Sequence, residues 1–382
     1  MSPEQPPVLV PRMRSEIPTP ALLVDVPALE RNIARMAAYF SSGPCRLRPH
    51  LKAHKTLEIA RRQLAAGGCI GLTCATVSEA EAAASFCEDL LIANEIVDPG
   101  KCARVAGLAA RTRVTVAVDS RSGVQAIGAA AVRAGVRVGV LVDLDVGQGR
   151  CGVEPGPAAL DLARHVATTA GLTLRGLMGY EGHLQAVRER QERERLTRLA
   201  MQELVATAAL VRGAGLPCEV VSAGGTGTHD ISGHVDGVTE IQAGSYVLMD
   251  SDYAAVGVGY EQACVVLGTV VSRAAGRCVV DCGHKALSTD HGLPSVRGLV
   301  GARVTALNDE HATIALPADA SCDVGALIEF VPSHVDPTIN LHDAWFVMDG
   351  DRVVDVWPIA ARGYPEHRAI LAWRTARDRS SQ

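Results

Sequence analysis

Through its first two thirds the chain alternates short apolar runs with longer stretches at helical spacing. The strand-like runs are 45–50, 71–75, 90–94, 113–119, 137–145, 174–181, 219–223 and 238–245. Between them, 77–86, 123–133, 157–168 and 188–212 carry the 3.6-residue period, and the last is the longest and most charged, so it presents a solvated face. Eight strand-plus-crossover units predict a parallel sheet closed into a (β/α)8 barrel, with a doubly wound open sheet as the alternative. One earlier apolar run, 21–26, does not fit the count and is expected to leave the barrel for the C-terminal part. After about Tyr253 the texture changes to short β-rich runs broken by Gly, Asp, Asn and Pro: VVLGTVVSR, RCVVDCG, ALIEFVP, AWFVMDG and RVVDVWPI. They predict a mostly antiparallel β domain. The expected division is a barrel over 27–253 and a β domain over 254–382, joined by the N-terminal strand within 1–26.

Composition agrees with this architecture. The chain has 382 residues, 48% of them hydrophobic and only 3% aromatic, and aliphatic cores of this kind suit parallel strands covered on both faces. A net charge of -5 without a basic run argues against a nucleic-acid partner. No apolar stretch approaches the ~20 residues of a membrane span, and the Pro-rich start lacks the apolar core of a secretory signal. Eleven cysteines with no C-x-x-C pair read as reduced thiols of a cytoplasmic protein.

The active site of such a barrel lies at the C-terminal ends of its strands. Unusual polar residues fall there. Strand 1 ends in RPHLKAHKT, with His50 and Lys52 two apart and His54 following; strand 5 ends in DLDVGQGRCG around Arg150; strand 6 ends in GYEGH, with Tyr180 and His183. Strand 7 runs into Gly224-Gly225-Thr226-Gly227, whose backbone amides can approach an anion, and strand 8 closes beside it with Gly244 and Ser245. A phosphate cradle and a strand-end lysine in one mouth suit pyridoxal 5'-phosphate, with an imine at Lys52 and the phosphate anchored across the opening. Lys55, three residues on, is expected on the opposite side or in the next helix.

RPHLKAHKT, GQGRCG, YEGH, SAGGTGTHD and PSHVDPTINLHD together resemble the D-threonine aldolase and eukaryotic-type D-serine dehydratase family of alanine racemase-like, fold-type III pyridoxal-phosphate enzymes. The resemblance implies a barrel followed by a β domain, and a homodimer. It implies Lys52 as the Schiff-base lysine, Arg150 near the cofactor ring, Tyr180 against the cofactor, and Thr226, Gly244 and Ser245 on the phosphate. The family often has Asn at the position of Ser245.

His334 and Asp336 stand at i, i+2, and on an extended strand an imidazole nitrogen and a carboxylate oxygen would share one divalent ion; Asp before Pro is equally a turn former. By resemblance, His-x-Cys marks the zinc-binding dehydratases and His-x-Asp the aldolases that use manganese, magnesium or a similar ion. The HVD of this chain therefore implies manganese or magnesium rather than zinc, and a lyase cleaving a D-3-hydroxy amino acid to glycine and an aldehyde. The alternatives are a D-serine dehydratase-like ammonia-lyase, an amino-acid racemase and a non-catalytic cofactor-binding protein. His54, His183 and a metal-bound hydroxide are candidate bases. His342 and Asp343 either orient the metal ligands or cap a turn, and DCGHKALSTDHG, with Lys285, Ser288 and Asp290, is family-like without a readable role.

Overall fold

The computed structural model describes residues 10–318, 320, 322–364 and 367. The start of the chain through residue 9 and, from the expected 254–382 domain, residues 319, 321, 365–366 and 368–382 lie outside them.

The barrel is present. Its strands are β2 (Arg46–Leu47), β3 (Leu72–Cys74), β4 (Asp89–Glu95), β5 (Arg113–Val118), β6 (Val138–Leu144), β7 (Leu172–Gly179), β8 (Val220–Ala223) and β9 (Glu240–Ile241), preceded in the chain by β1 (Ala21–Asp25). Neighbours pair in parallel in the order β2-β9-β8-β7-β6-β5-β4-β3. Parallel bridges Leu47–Cys69 and His50–Thr73 link the β2 segment to the β3 segment, the two ends of this order, and close the ring. Every expected barrel run overlaps one of these strands, but β2 and β9 are only two residues long. Pro49 lacks an amide hydrogen to continue β2, and the chain turns into a 3-10 turn, Leu51–Ala53, that carries Lys52.

The helices follow their caps. Pro157–Thr168 begins on Pro157 at N1; Arg121–Ala134 starts at Ser120, whose side chain accepts from Gly123 N, and stops at Gly135 in the left-handed region. Arg190–Gly213 has the expected solvated face, with Arg195–Glu192 and Arg198–Glu194 pairs along it.

Strand β1 lies in the second sheet, antiparallel to β10 (Cys264–Ala274) and parallel to the strand over Ala344–Asp349. Its sequence ALLVD is buried at four of five positions, as a strand with neighbours on both sides requires. The remaining strands are β11 (Arg277–Val280), β12 (Ser295–Arg297), β13 (Arg303–Leu307), β14 (Ala312–Ala315), β15 (Leu327–Val331), β16 (the Ala344–Asp349 strand) and β17 (Arg352–Pro358). All pairings except β1–β16 are antiparallel.

Trp345 on β16 joins the two sheets at the point that matters for the site. Its side chain is fully buried, and its Nε1 donates to Thr56 Oγ1 at 2.8 Å; Thr56 in turn donates to the His54 carbonyl. The second sheet thus braces the turn that follows Lys52. Replacing Trp345 with Ala removes a large buried aromatic, for which about 3–5 kcal/mol of stability is expected to be lost. A urea titration followed by circular dichroism should show a clearly lower midpoint; an unchanged midpoint would mean that this contact does not brace the fold.

Candidate active site

The strand ends converge on one cavity of about 360 Å³ lined by His50, Lys52, Arg150, Tyr180, Thr226, Gly244 and Ser245, among others. Of the residues proposed from the sequence as cofactor contacts, only Gly227 does not line it. The Gly227 amide donates instead to Gln185 Oε1 at 2.8 Å, and a Cβ at this position would stand 2.1 Å from the Gln185 carbonyl oxygen. Glycine is needed there for close packing, and its amide is not free for an anion.

The loop after β8 is held by the loop after β7. Glu181, fully buried, accepts from Thr228 Oγ1 and Ser232 Oγ, each at 2.6 Å, and from Gly224 N at 3.2 Å. Thr226 Oγ1 accepts from the Tyr246 amide at 2.9 Å, which ties the β8 loop to the β9 loop and leaves the Thr226 hydroxyl hydrogen for an anion in the cavity. A Cβ on Gly244 would lie 2.9 Å from the His50 carbonyl, so the β9 loop packs tightly against the lysine turn.

Lys52 Nζ lies 3.6 Å from Asp336 Oδ2 of the same chain. Burial works to lower the Lys52 amine, but the carboxylate of Asp336, aided by Tyr180, outweighs it and the amine moves up. His50 is pushed well down, by burial first and then by Lys52, and is neutral. Tyr180 is raised by burial and keeps its proton; the Arg150 guanidinium sits 5.7 Å over its ring. Lys55 is turned away and paired with Glu79 at 2.5 Å.

His334 and Asp336 do not line this cavity but lie beside it, Asp336 through its 3.6 Å approach to Lys52, and they do not stand on an extended strand as the spacing suggested. His334 precedes a short helix, Val335–Asn340, with Asp336 in its first turn. Pro337 favours this: near a helix start its missing N–H costs no hydrogen bond and its fixed φ is already helical. The pair still faces one point. His334 Nε2 and Asp336 Oδ1 are 4.0 Å apart, and that oxygen is buried without a hydrogen-bond partner. An orphaned carboxylate oxygen opposite an imidazole nitrogen, at a separation spanned by two bonds of about 2.1 Å, fits a divalent cation. The motif is docked on the barrel by Asp250, which accepts from Val335 N at 3.2 Å and Tyr253 N at 2.8 Å, and by Ser251 N donating to Pro332 O at 3.0 Å. Burial lifts the Asp250 carboxyl to about 6.

Two of the base candidates do not line the cavity. His54 is fully buried, bonded to Gln63 at 3.1 Å, and burial lowers it to about 4. His183 is exposed near Gly147. His342 bonds the Ala286 carbonyl and Asp343 pairs with Arg362, so neither orients His334 or Asp336. Polar cavity residues passed over in the sequence are Asn94, Glu95, Asp143 and Gln242. Asp143 is pushed up to about 8, by burial first and then by Glu95. Its place on β6, in step with the strand's apolar alternation, was the available signal.

Comparison with known proteins gives a consistent result. Residues 24–252 match the family described as alanine racemase, N-terminal domain, and 263–348 the putative serine dehydratase domain. The chain is 40% identical to a D-threonine aldolase of an Arthrobacter species over 357 residues, 92% of this chain and 94% of the relative. It is 36% identical to the 3-hydroxy-D-aspartate aldolase of Paracoccus denitrificans (strain Pd 1222) over 361 residues, covering 91% and 93%. The crystal structure of a D-threonine aldolase from Filomicrobium marinum superposes with a TM-score of 0.90 at 39% identity, covering 93% of this chain and 98% of the other. Among the described residues no helix is long and apolar enough to cross a membrane, and the cysteines are free thiols.

Proposed function

The chain belongs to the alanine racemase-like, fold-type III family of pyridoxal-phosphate enzymes that includes the D-threonine aldolases, and from that membership we propose that it is a metal-dependent lyase that cleaves a D-3-hydroxy amino acid to glycine and an aldehyde. The observation that carries the reading is that Lys52 lines one cavity with a glycine- and threonine-lined cradle and stands 3.6 Å from Asp336, whose other oxygen is orphaned. The relatives named aldolases, at 40% and 36% identity, support cleavage of a carbon–carbon bond.

When bound, the cofactor supplies an electron sink for the pair released by the breaking Cα–Cβ bond, and the metal supplies a Lewis acid for the β-hydroxyl. Lys52 anchors the cofactor's aldehyde end. With the cofactor bound, the Lys52 amine would be the group placed to hold and return a proton at the substrate's α-carbon, with the Asp336 carboxylate beside it. The Thr226 hydroxyl, Gly244 and Ser245 bind the phosphate, with Gly227 shaping their loop. Arg150 and the neutral Tyr180 hydroxyl line the same cavity and would border the cofactor ring. His334 and Asp336 hold the metal, and a carboxylate with an imidazole suits manganese or magnesium better than the thiolate of a zinc site would. The working form is a cytoplasmic homodimer.

The test is product identity. With D-threonine and related D-3-hydroxy amino acids, and manganese added, glycine and an aldehyde are expected. Pyruvate and ammonia from D-serine would instead make it a dehydratase. Interconversion of enantiomers would make it a racemase, and no turnover across the panel a cofactor-binding protein.

A further inference from the structure

Deepening the metal-dependent reading, on which it rests, we propose that Asp290 is a positioning residue for the metal ligand His334. Asp290 lies in the segment between β11 and β12, 44 residues before His334. Its Oδ2 stands 2.6 Å from His334 Nδ1. Two donors each about 2.1 Å from a common ion stand ~3 Å or more apart, so no ion fits between these two atoms. The contact is a hydrogen bond, and the His334 Nδ1–H is the donor. That assigns the tautomer: the proton is on Nδ1, and the lone pair is on Nε2, the nitrogen facing the unpartnered Asp336 oxygen at 4.0 Å.

The ring is gripped in a second direction. His291 stacks on His334 with centroids 4.2 Å apart and planes 15° from parallel, and is itself held by Asp252, whose Oδ2 is 2.8 Å from His291 Nδ1. Asp290 is held by Ser288, whose Oγ donates to Oδ1 at 2.7 Å. The edge of the imidazole is therefore aimed by Asp290 and its plane set by His291. A carboxylate behind a metal-bound histidine also makes the imidazole more basic and a better ligand. The short sequence STDH thus gains a role: Ser288 orients Asp290, Asp290 orients His334, and His291 packs on its face.

The test uses the cofactor-loaded enzyme stripped with EDTA and titrated with Mn²⁺, with free Mn²⁺ read by electron paramagnetic resonance. Asp290→Ala is expected to weaken Mn²⁺ binding by about 10–100-fold, with the cofactor absorbance and thermal midpoint unchanged. At saturating Mn²⁺ most of its turnover should return, because Asp290 touches neither substrate nor cofactor in this arrangement. A folded D290A protein that binds Mn²⁺ as tightly as the unaltered chain overturns the proposal. Should D290A fail to fold, Asp290→Asn decides: it keeps the shape, an affinity loss on the order of tenfold is expected, and an unchanged affinity overturns the proposal. Failure of the underlying reading looks different, since the unaltered chain itself would then take up no Mn²⁺.

Discussion

Replacing Lys52 with Ala is expected to abolish the yellow colour of the cofactor-loaded protein and to lower turnover by ~10³-fold or more, the scale seen when a covalent catalytic group is removed. The structure makes this a sharp expectation because the competing amine is already committed. Lys55 follows within the same turn, but its Nζ is paired at 2.5 Å with Glu79, whose side chain is fully buried. Moving Lys55 into the cavity would strand that carboxylate, at a cost of about 3–5 kcal/mol. Lys52 lines the cavity instead, with its Nζ 3.6 Å from Asp336. Absorbance spectra of the two lysine variants, with borohydride trapping and peptide mapping of the unaltered chain, check the assignment. Colour that survives in Lys52→Ala, or a trapped cofactor on another peptide, would refute it.

The barrel was legible in the chain because strand and crossover periods differ and repeat eight times. The β domain was legible from its punctuation by Gly, Asp and Pro. What periodicity could not supply was the local turn at each strand end. His54 stands near the end of strand 1 and looks catalytic in sequence, yet the 3-10 turn over Leu51–Ala53 sends its ring into the core against Gln63. His334 and Asp336 do approach each other to 4.0 Å, but the spacing read as strand because the tendency of Asp336-Pro337 to open a helix was weighed only as a turn signal. Glu181 shapes the glycine loop from a neighbouring strand end, and Asp290 reaches His334 from 44 residues away. No local period records such contacts. They exist only once the loops after β7 and β8, or the segments between β11 and the HVD helix, are packed together.

The second large effect concerns the metal. Asp336→Ala is expected to cut turnover by about 10²-fold or more, the equivalent of several kcal/mol of Lewis-acid stabilisation, while the cofactor colour stays. EDTA should do the same to the unaltered chain, with activity restored by manganese. Asp336 has a double position, however: one oxygen is orphaned toward His334 and the other is the partner of Lys52. Its replacement removes a metal ligand and the anion beside the lysine at once. His334→Ala separates the two, since it deletes the nitrogen ligand and leaves the Lys52–Asp336 pair in place. If the metal carries the effect, both variants lose turnover to a similar degree and EDTA adds nothing to either. If the carboxylate acts mainly on the lysine, His334→Ala stays close to the unaltered chain while Asp336→Ala does not. Full turnover of the unaltered chain after EDTA treatment would remove the metal from the reaction altogether, and loss of colour in Asp336→Ala would show that the two sites are one.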